Sequence, residues 1–355
     1  MFLPGVTFSS AWNIALPIMA FLPMSFAAFR LLFGHVVNAG FKKYSEGQCP
    51  TPIQGKLPFQ LQYLGGYAPR LENTLCVLVA FFHPIFQPEG VNHTPFVLDI
   101  LTSLSAPVIV SFLEAARSKR PLLLGFPVVI GVVYQLFTGA VIFPVYWGVF
   151  LAITRDHAVG SEIVQADAEA VLFGLVMGYF IPTFAMAYMT TPKPIAVWQI
   201  FPVLIYIFKS LHLSIRPRRL HNSSGYRTVQ ATYIIIFLIS SIVHLRVLAA
   251  YKFDPQTIMT AFMPPLEIPV AKTGQAVLSV INLFLQWDAV FIFGSTFMAS
   301  LWFARSILEG ILLMIWIVIS STTLGPGAAI SAIFLWREAN LNHTRQILTP
   351  HAKTQ

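Results

Sequence analysis

Runs of about 20 apolar residues, parted by short polar segments, set the pattern of this chain. A bilayer's hydrocarbon core is about 30 Å thick and a helix crosses it in ~20 residues. The runs therefore predict spans near 9–33, 71–87, 95–117, 121–153, 164–190, 194–214, 226–250, 275–304 and 308–336. The fold class this implies is all-α: a polytopic membrane helix bundle of eight or nine transmembrane helices, some kinked, forming one domain over residues 1–355. The longer connections 34–70 and 251–273 and a short polar tail, 338–355, are expected outside the membrane. Two runs are too long for one straight crossing. Residues 121–153 contain Gly131, Gly139 and Pro144, and 308–336 contain Gly-Pro-Gly at 325–327, so each is expected to kink or to extend beyond the bilayer. The first run has no basic segment ahead of it and is too long for a cleaved leader, so it reads as a retained span.

Composition supports the membrane reading and excludes a soluble domain. The 355 residues are 56% hydrophobic and 10% charged, where a soluble domain carries about 25% charge; mean hydropathy is +0.71. Many of the 25 prolines fall within apolar runs, where neighbouring helices can satisfy the freed backbone groups. The net charge of +8 gathers in loops such as RSKR and RPRRL beside apolar runs. That placement points to lipid head groups as the partner, not to nucleic acid. If every run crosses once, loops 34–70 and 117–120 share a side and the most basic loop, 215–227, lies opposite. Either 121–153 crosses twice or the charge-bias rule fails. No internal repeat is visible, so nothing suggests a transporter of duplicated halves. Cys76 lies in an apolar run and Cys49 in the first long loop, so no disulfide is expected.

Carboxylates inside apolar runs carry the candidate chemistry, because each costs at least ~2.5 kcal/mol to insert. They are Asp99 and Glu114 on the third run, Asp167 and Glu169 at the start of the fifth, and Asp288 on the eighth, with His83, His244 and Arg246 as polar companions. Glu114 has a structural reading beside the functional one, since Arg117 shares its helix face one turn on. Asp167 and Glu169 read as solvated end residues, His244 and Arg246 as bundle-polar or snorkelling groups, and Asp99 as a helix-start residue. Asp288 has no opposite charge within a turn. Trp147, Trp198, Trp287, Trp302, Tyr134, Tyr146, Tyr179 and Tyr188 are belt residues by default, yet several flank polar positions, as in VYQL, VWQI and QWD. An aromatic face stabilises a nearby cation, so an acid in an aromatic-lined pocket suits carbocation chemistry. Phosphate loops, HExxH, G-x-S-x-G and Cys/His metal spacings are absent, as is an Asp-rich DDxxD run. No cofactor and no metal are expected.

Several segments in order, LVAFFHPIF, FLEAARSKR, GAVIFPVYWGVFLA, AEAVLFGLVMGYFIPT, AVWQIFPV and LFLQWDAVFIF, resemble a family of fungal integral-membrane terpene cyclases from meroterpenoid pathways, of the ascofuranone, ascochlorin and macrophorin type. The resemblance runs from about residue 75 to 295. It implies a metal-independent cyclase of the endoplasmic reticulum membrane that protonates an epoxide or terminal alkene of a hydrophobic prenylated small molecule, such as a farnesylated aromatic, and closes a ring. It assigns catalysis to Asp288, Glu114 and Arg117, with Gln135, Gln199, Tyr146 and Trp198 in the pocket and Asp99, His83 and Trp287 as further substrate contacts. A carboxyl among apolar residues resists ionisation, which suits Asp288 as proton donor, while Glu114 held by Arg117 stays ionised and orients a hydroxyl or takes the last proton. Two other readings stay open: a non-catalytic transporter or binding protein for a hydrophobic metabolite, and a sterol-isomerase-like enzyme. The oligomeric state is not readable.

Overall fold

The structure, a computed structural model, describes residues 10–50, 59, 67–90, 93–154, 162–265 and 277–348. Parts of the expected loops (51–58, 60–66 and 266–273), the tail beyond 348 and the first nine residues lie outside the described residues.

Among the described residues the chain is helical. Proline explains many helix starts, because its missing N–H is not needed in the first turn. Pro69, Pro127, Pro192, Pro255 and Pro326 each open a helix. In chain order the helices are α1 (Ser10–Asn38), α2 (Phe41–Gln48), α3 (Pro69–Phe82), α4 (Thr94–Ala115), α5 (Pro127–Phe137), α6 (Gly139–Thr154), α7 (Gln165–Leu175), α8 (Ile181–Met189), α9 (Pro192–Gln199), α10 (Phe201–Ile215), α11 (Tyr226–Ala250), α12 (Pro255–Phe262), α13 (Val277–Leu301), α14 (Ile307–Thr323) and α15 (Pro326–Leu348). A π turn, Val176–Phe180, joins α7 to α8.

Among the described residues, five helical segments are long and apolar enough to cross a membrane: Ile14–Asn38, α4, α7 with α8, α11 and α13. A sixth is the pair α9 and α10, bent by 70°. The expected eight or nine spans are not reproduced, because hydropathy counts apolar residues and does not see where the backbone turns. The run 121–153 is two short helices that break at Thr138, and Tyr134 stacks on Phe143 across the break at 5.3 Å. The run 308–336 breaks at Gly325, φ +94°, and Trp316 of α14 donates its indole N–H to the Ala329 carbonyl of α15. Both are helical hairpins instead of single kinked helices.

α4 is the axis of the bundle and is almost wholly buried. α11 and α15 pack along it, and α13, α6 and α1 form a second group. Gly174 and Gly178 let α10 approach closely: a Cβ at Gly178 would lie 2.4 Å from the Ile205 backbone nitrogen, and one at Gly174 2.6 Å from the Ile205 carbonyl oxygen. This is the small-residue packing that membrane helices favour.

The two ends of the bundle differ. At one end, Ser118 N–H bonds to the Glu162 carbonyl, Gln165 N–H to Ser223, Arg216 to Glu169, and Arg345 to Glu162. Loops 117–120 and 216–225 therefore share this end, which fits the alternative in which residues 121–153 cross twice. The α5–α6 hairpin re-emerges where it entered, since Phe150 of α6 contacts Arg337, which in turn binds Glu114 at the α4 C-terminus. At the other end, Cys49 and Cys76 are disulfide-bonded, with Cα atoms 6.0 Å apart. The expectation of unpaired cysteines is thus overturned: the loop folds α2 back onto α3, a contact between positions 27 apart in sequence.

Candidate active site

Thr138 sets the geometry. Its φ of 68° and ψ of 150° are unusual for a β-branched residue, and the turn aims the start of α6 into the bundle. A helix start leaves backbone N–H groups without intrahelical partners, and here one of them is met by a side chain. Ala140 N–H donates to Asp288 Oδ1 at 2.7 Å. Asp288 thus has a structural task, neutralising the start of a half-span helix inside the bundle.

Beside it lies a cavity of about 210 Å³. Asp288 and Leu285 of α13, Tyr134 and Gln135 of α5, Phe143 of α6, Trp198 and Gln199 of α9, Phe81 and Phe82 of α3, and Leu101 and Leu104 of α4 line it. Asp288 is half-buried and faces this space. The aromatic walls are locked: Trp198 Nε1 donates to Thr183 Oγ1 at 2.9 Å, and Phe82 meets the Trp198 ring edge-on at 5.5 Å. Gln135 Nε2 donates to the Gln199 carbonyl at 2.9 Å and lies 3.5 Å from Gln199 Oε1.

Five of the residues singled out in the sequence, Asp288, Tyr134, Gln135, Trp198 and Gln199, are therefore gathered round one cavity. The others are not. Glu114 and Arg117 belong to a buried tetrad with Arg337 and Glu338. Arg117 donates from Nε and Nη2 to Glu114 at 2.8 and 2.9 Å, Arg337 Nη1 donates to Glu114 Oε1 at 2.8 Å, and Arg117 also pairs with Glu338. Burial works against the charge on Arg117, but Glu114 and then Glu338 outweigh it and hold its guanidinium above the ordinary value. Arg337 sits 5.0 Å from the Phe303 ring centre and 5.5 Å from that of Phe150. On α4, Leu104 and Glu114 are ten residues apart, roughly 15 Å along the axis. Glu114 does not line the cavity that Asp288 faces, so a mechanism shared by the two carboxyls in one pocket is set aside.

Tyr146 lies further along α6 towards the tetrad, with its ring against Trp147 and Phe150. Trp287, one position from Asp288 and so about 100° round the helix, packs with Ala28, Leu32 and Ala140 and lies by Phe291. Asp99 leaves the opposite face of α4 from Leu101 and pairs with His244 of α11, Oδ1 to Nδ1 at 3.1 Å. His83 caps α3 and pairs with Gln87. Asp167 and Glu169, expected as solvated ends, are ion-paired with Arg218 and Arg216. The Asp167 carboxylate holds the Arg218 guanidinium above its ordinary value. Sequence reasoning missed Arg337 and Glu338, which had no local signal beyond an Arg-Glu pair after an apolar run.

The described residues thus form an all-helical bundle with apolar spans and a carboxyl beside an aromatic cavity. The chain belongs to the CtvD domain family, whose model matches residues 18–341. It is similar to terpene cyclase ascI of Acremonium egyptiacum, 25% identical over 61% of this chain and 62% of that protein. It is also similar to FAD-dependent monooxygenase verC1 of Penicillium polonicum, 28% identical over 50% of this chain and 24% of that protein. The chain thus spans about three fifths of one relative's length and a quarter of the other's. These similarities support the resemblance to fungal meroterpenoid terpene cyclases. No solved structure matches the chain.

Proposed function

We propose that this chain is a membrane terpene cyclase in which Asp288 donates the initiating proton. The observation that carries the reading is the Asp288 carboxyl on the wall of an aromatic, otherwise apolar cavity, one oxygen fixed by Ala140 N–H and the group facing open space. The substrate is a prenylated molecule bearing a terminal epoxide or alkene. The Asp288 proton goes to the epoxide oxygen, the C–O bond breaks as an internal alkene's electron pair forms a C–C bond, and the positive charge moves into the chain. The faces of Phe81, Phe82, Phe143 and Trp198 stabilise that charge. Loss of a proton back to the Asp288 carboxylate forms the product alkene and restores the acid, so the reaction is an isomerisation. A cyclase relative and a flavin monooxygenase relative together favour the epoxide, because a monooxygenase supplies the oxygen atom and a cyclase uses it.

Microsomes carrying the chain, incubated with a farnesylated phenol bearing a terminal epoxide, are expected to give a product of the same mass and different retention. Asp288→Asn keeps an acceptor for Ala140 N–H and removes the acid, so it should fold and lose turnover. Unchanged substrate with well-folded protein would remove the cyclase reading and leave a binding or transport role. Near-normal product from Asp288→Asn would remove Asp288 from the mechanism.

A further inference from the structure

The hydrogen bonds of the cavity wall are directional, and of the buried lining groups they leave unanswered, Tyr134 Oη, Thr138 Oγ1 and Gln199 Nε2, only the last is a pure donor. Gln135 Nε2 donates to the Gln199 main-chain carbonyl at 2.9 Å, which fixes which end of the Gln135 amide is nitrogen. The same nitrogen lies 3.5 Å from the Gln199 side-chain oxygen. Turning the Gln199 amide over would set two N–H donors against each other, so the orientation of Gln199 follows from that of Gln135. Gln199 Nε2 is then a donor of settled direction. It is buried, with the residue 4% exposed, and has no hydrogen-bond partner among the described residues. Gln199 lines the same cavity as Asp288. A buried donor left unmet destabilises the protein, and a ligand oxygen recovers that loss.

We propose that Gln199 is a specificity-determining residue whose side-chain N–H₂ holds a hydrogen-bond acceptor oxygen of carbonyl type on the substrate's head group. This rests on the reading of the Asp288 cavity as the substrate pocket. The ligand class it selects is a terpenoid chain attached to a carbonyl-bearing head, gripped at the head by Gln199 and acted on by Asp288. An all-hydrocarbon head group leaves the donor unmet and binds less well. Gln135 is a positioning residue here, since it acts by fixing the Gln199 amide.

The test measures binding, without turnover, on detergent-solubilised full-length chain. The two probes are tritiated 4-farnesylacetophenone and 4-farnesyl-ethylbenzene, which differ by one carbonyl oxygen and carry no epoxide. The wild-type chain is expected to bind the ketone at least tenfold more tightly. Gln199→Leu should bring the two within about twofold by weakening the ketone alone, and Gln199→Met, near in length and without N–H groups, should do the same. Gln135→Met should narrow the gap partly, because it frees the Gln199 amide to turn over. Equal binding of both probes by the wild type, or a preference that survives in both Gln199 variants, overturns the inference. The epoxide assay stands apart from this one: a chain that prefers the ketone but makes no isomer keeps the Gln199 assignment and loses the cyclase.

Discussion

Replacing Glu114 separates a structural tetrad from a catalytic pair. Glu114 accepts three bonds from two guanidinium groups, at 2.8, 2.9 and 2.8 Å, and the residue is 2% exposed. The tetrad of Glu114, Glu338, Arg117 and Arg337 sums to zero formal charge. Glu114→Gln leaves one uncompensated positive charge out of water. Removing one member of a buried ion pair costs about 3–5 kcal/mol, against native stabilities of about 5–15 kcal/mol. At the ~2 °C per kcal/mol typical of larger domains, Tm falls by roughly 6–10 °C. Thermal unfolding in a fixed detergent measures the shift, and product formation at a temperature where the variant stays folded measures chemistry. Glu114→Gln combined with Arg337→Gln restores neutrality, so the double variant should lose less than the sum of the two, by at least ~0.5 kcal/mol. A Tm within about 1 °C of wild type, or lost activity in a protein that unfolds normally, would refute the reasoning and return Glu114 to the reaction.

Three further outcomes follow from the fold. Cys49→Ser with Cys76→Ser opens a loop of 27 residues, which on chain-entropy grounds is worth about 3.5 kcal/mol; thermal unfolding of the oxidised wild type and the variant reads it. Gly178→Ala meets the Ile205 backbone and should lower Tm by several degrees, whereas Gly294→Ala, with open space around it, should change it little. The Asp254 carboxylate caps α12 through Thr257 Oγ1 and N–H, which hold it below its ordinary value. The capping contribution is therefore complete above pH 3.8 and lost only as pH falls below that value; amide exchange of α12 against pH tests this.

How much of this was legible in the sequence depends on the range of the interaction. The bundle class follows from hydropathy, and the Glu114–Arg117 pair from a three-residue spacing on one helix. Gln135, Trp198, Gln199 and Asp288 could be picked out as polar or amphipathic groups in apolar runs, although nothing local says that they meet. The partners of the other candidates lie far along the chain: Arg337 is 223 positions from Glu114, and His244 is 145 from Asp99. Helix periodicity carries no information at that range. The hairpins at Thr138 and Gly325 were hidden for another reason. Apolar residues continue through both turns, and the break lies in backbone angles, which hydropathy does not record. Trp287 was drawn towards the pocket by adjacency to Gln286 and Asp288, and Tyr146 by the resemblance, but a step of one residue turns a helix face away and a step of seven moves it about 10 Å along.

The Cys49–Cys76 bond and the basic loop give the two ends of the bundle different chemistry. Disulfides persist in the lumen of the secretory pathway and are rare in cytosol, while membrane proteins retain Lys and Arg on the cytosolic side. Here the two marks lie at opposite ends of the bundle, the disulfide joining α2 and α3 and the arginines in the loop 216–219. The cavity beside Asp288 is walled by Phe41 of α2 and Phe81 of α3, so the bond that holds α2 on α3 also holds part of the cavity wall.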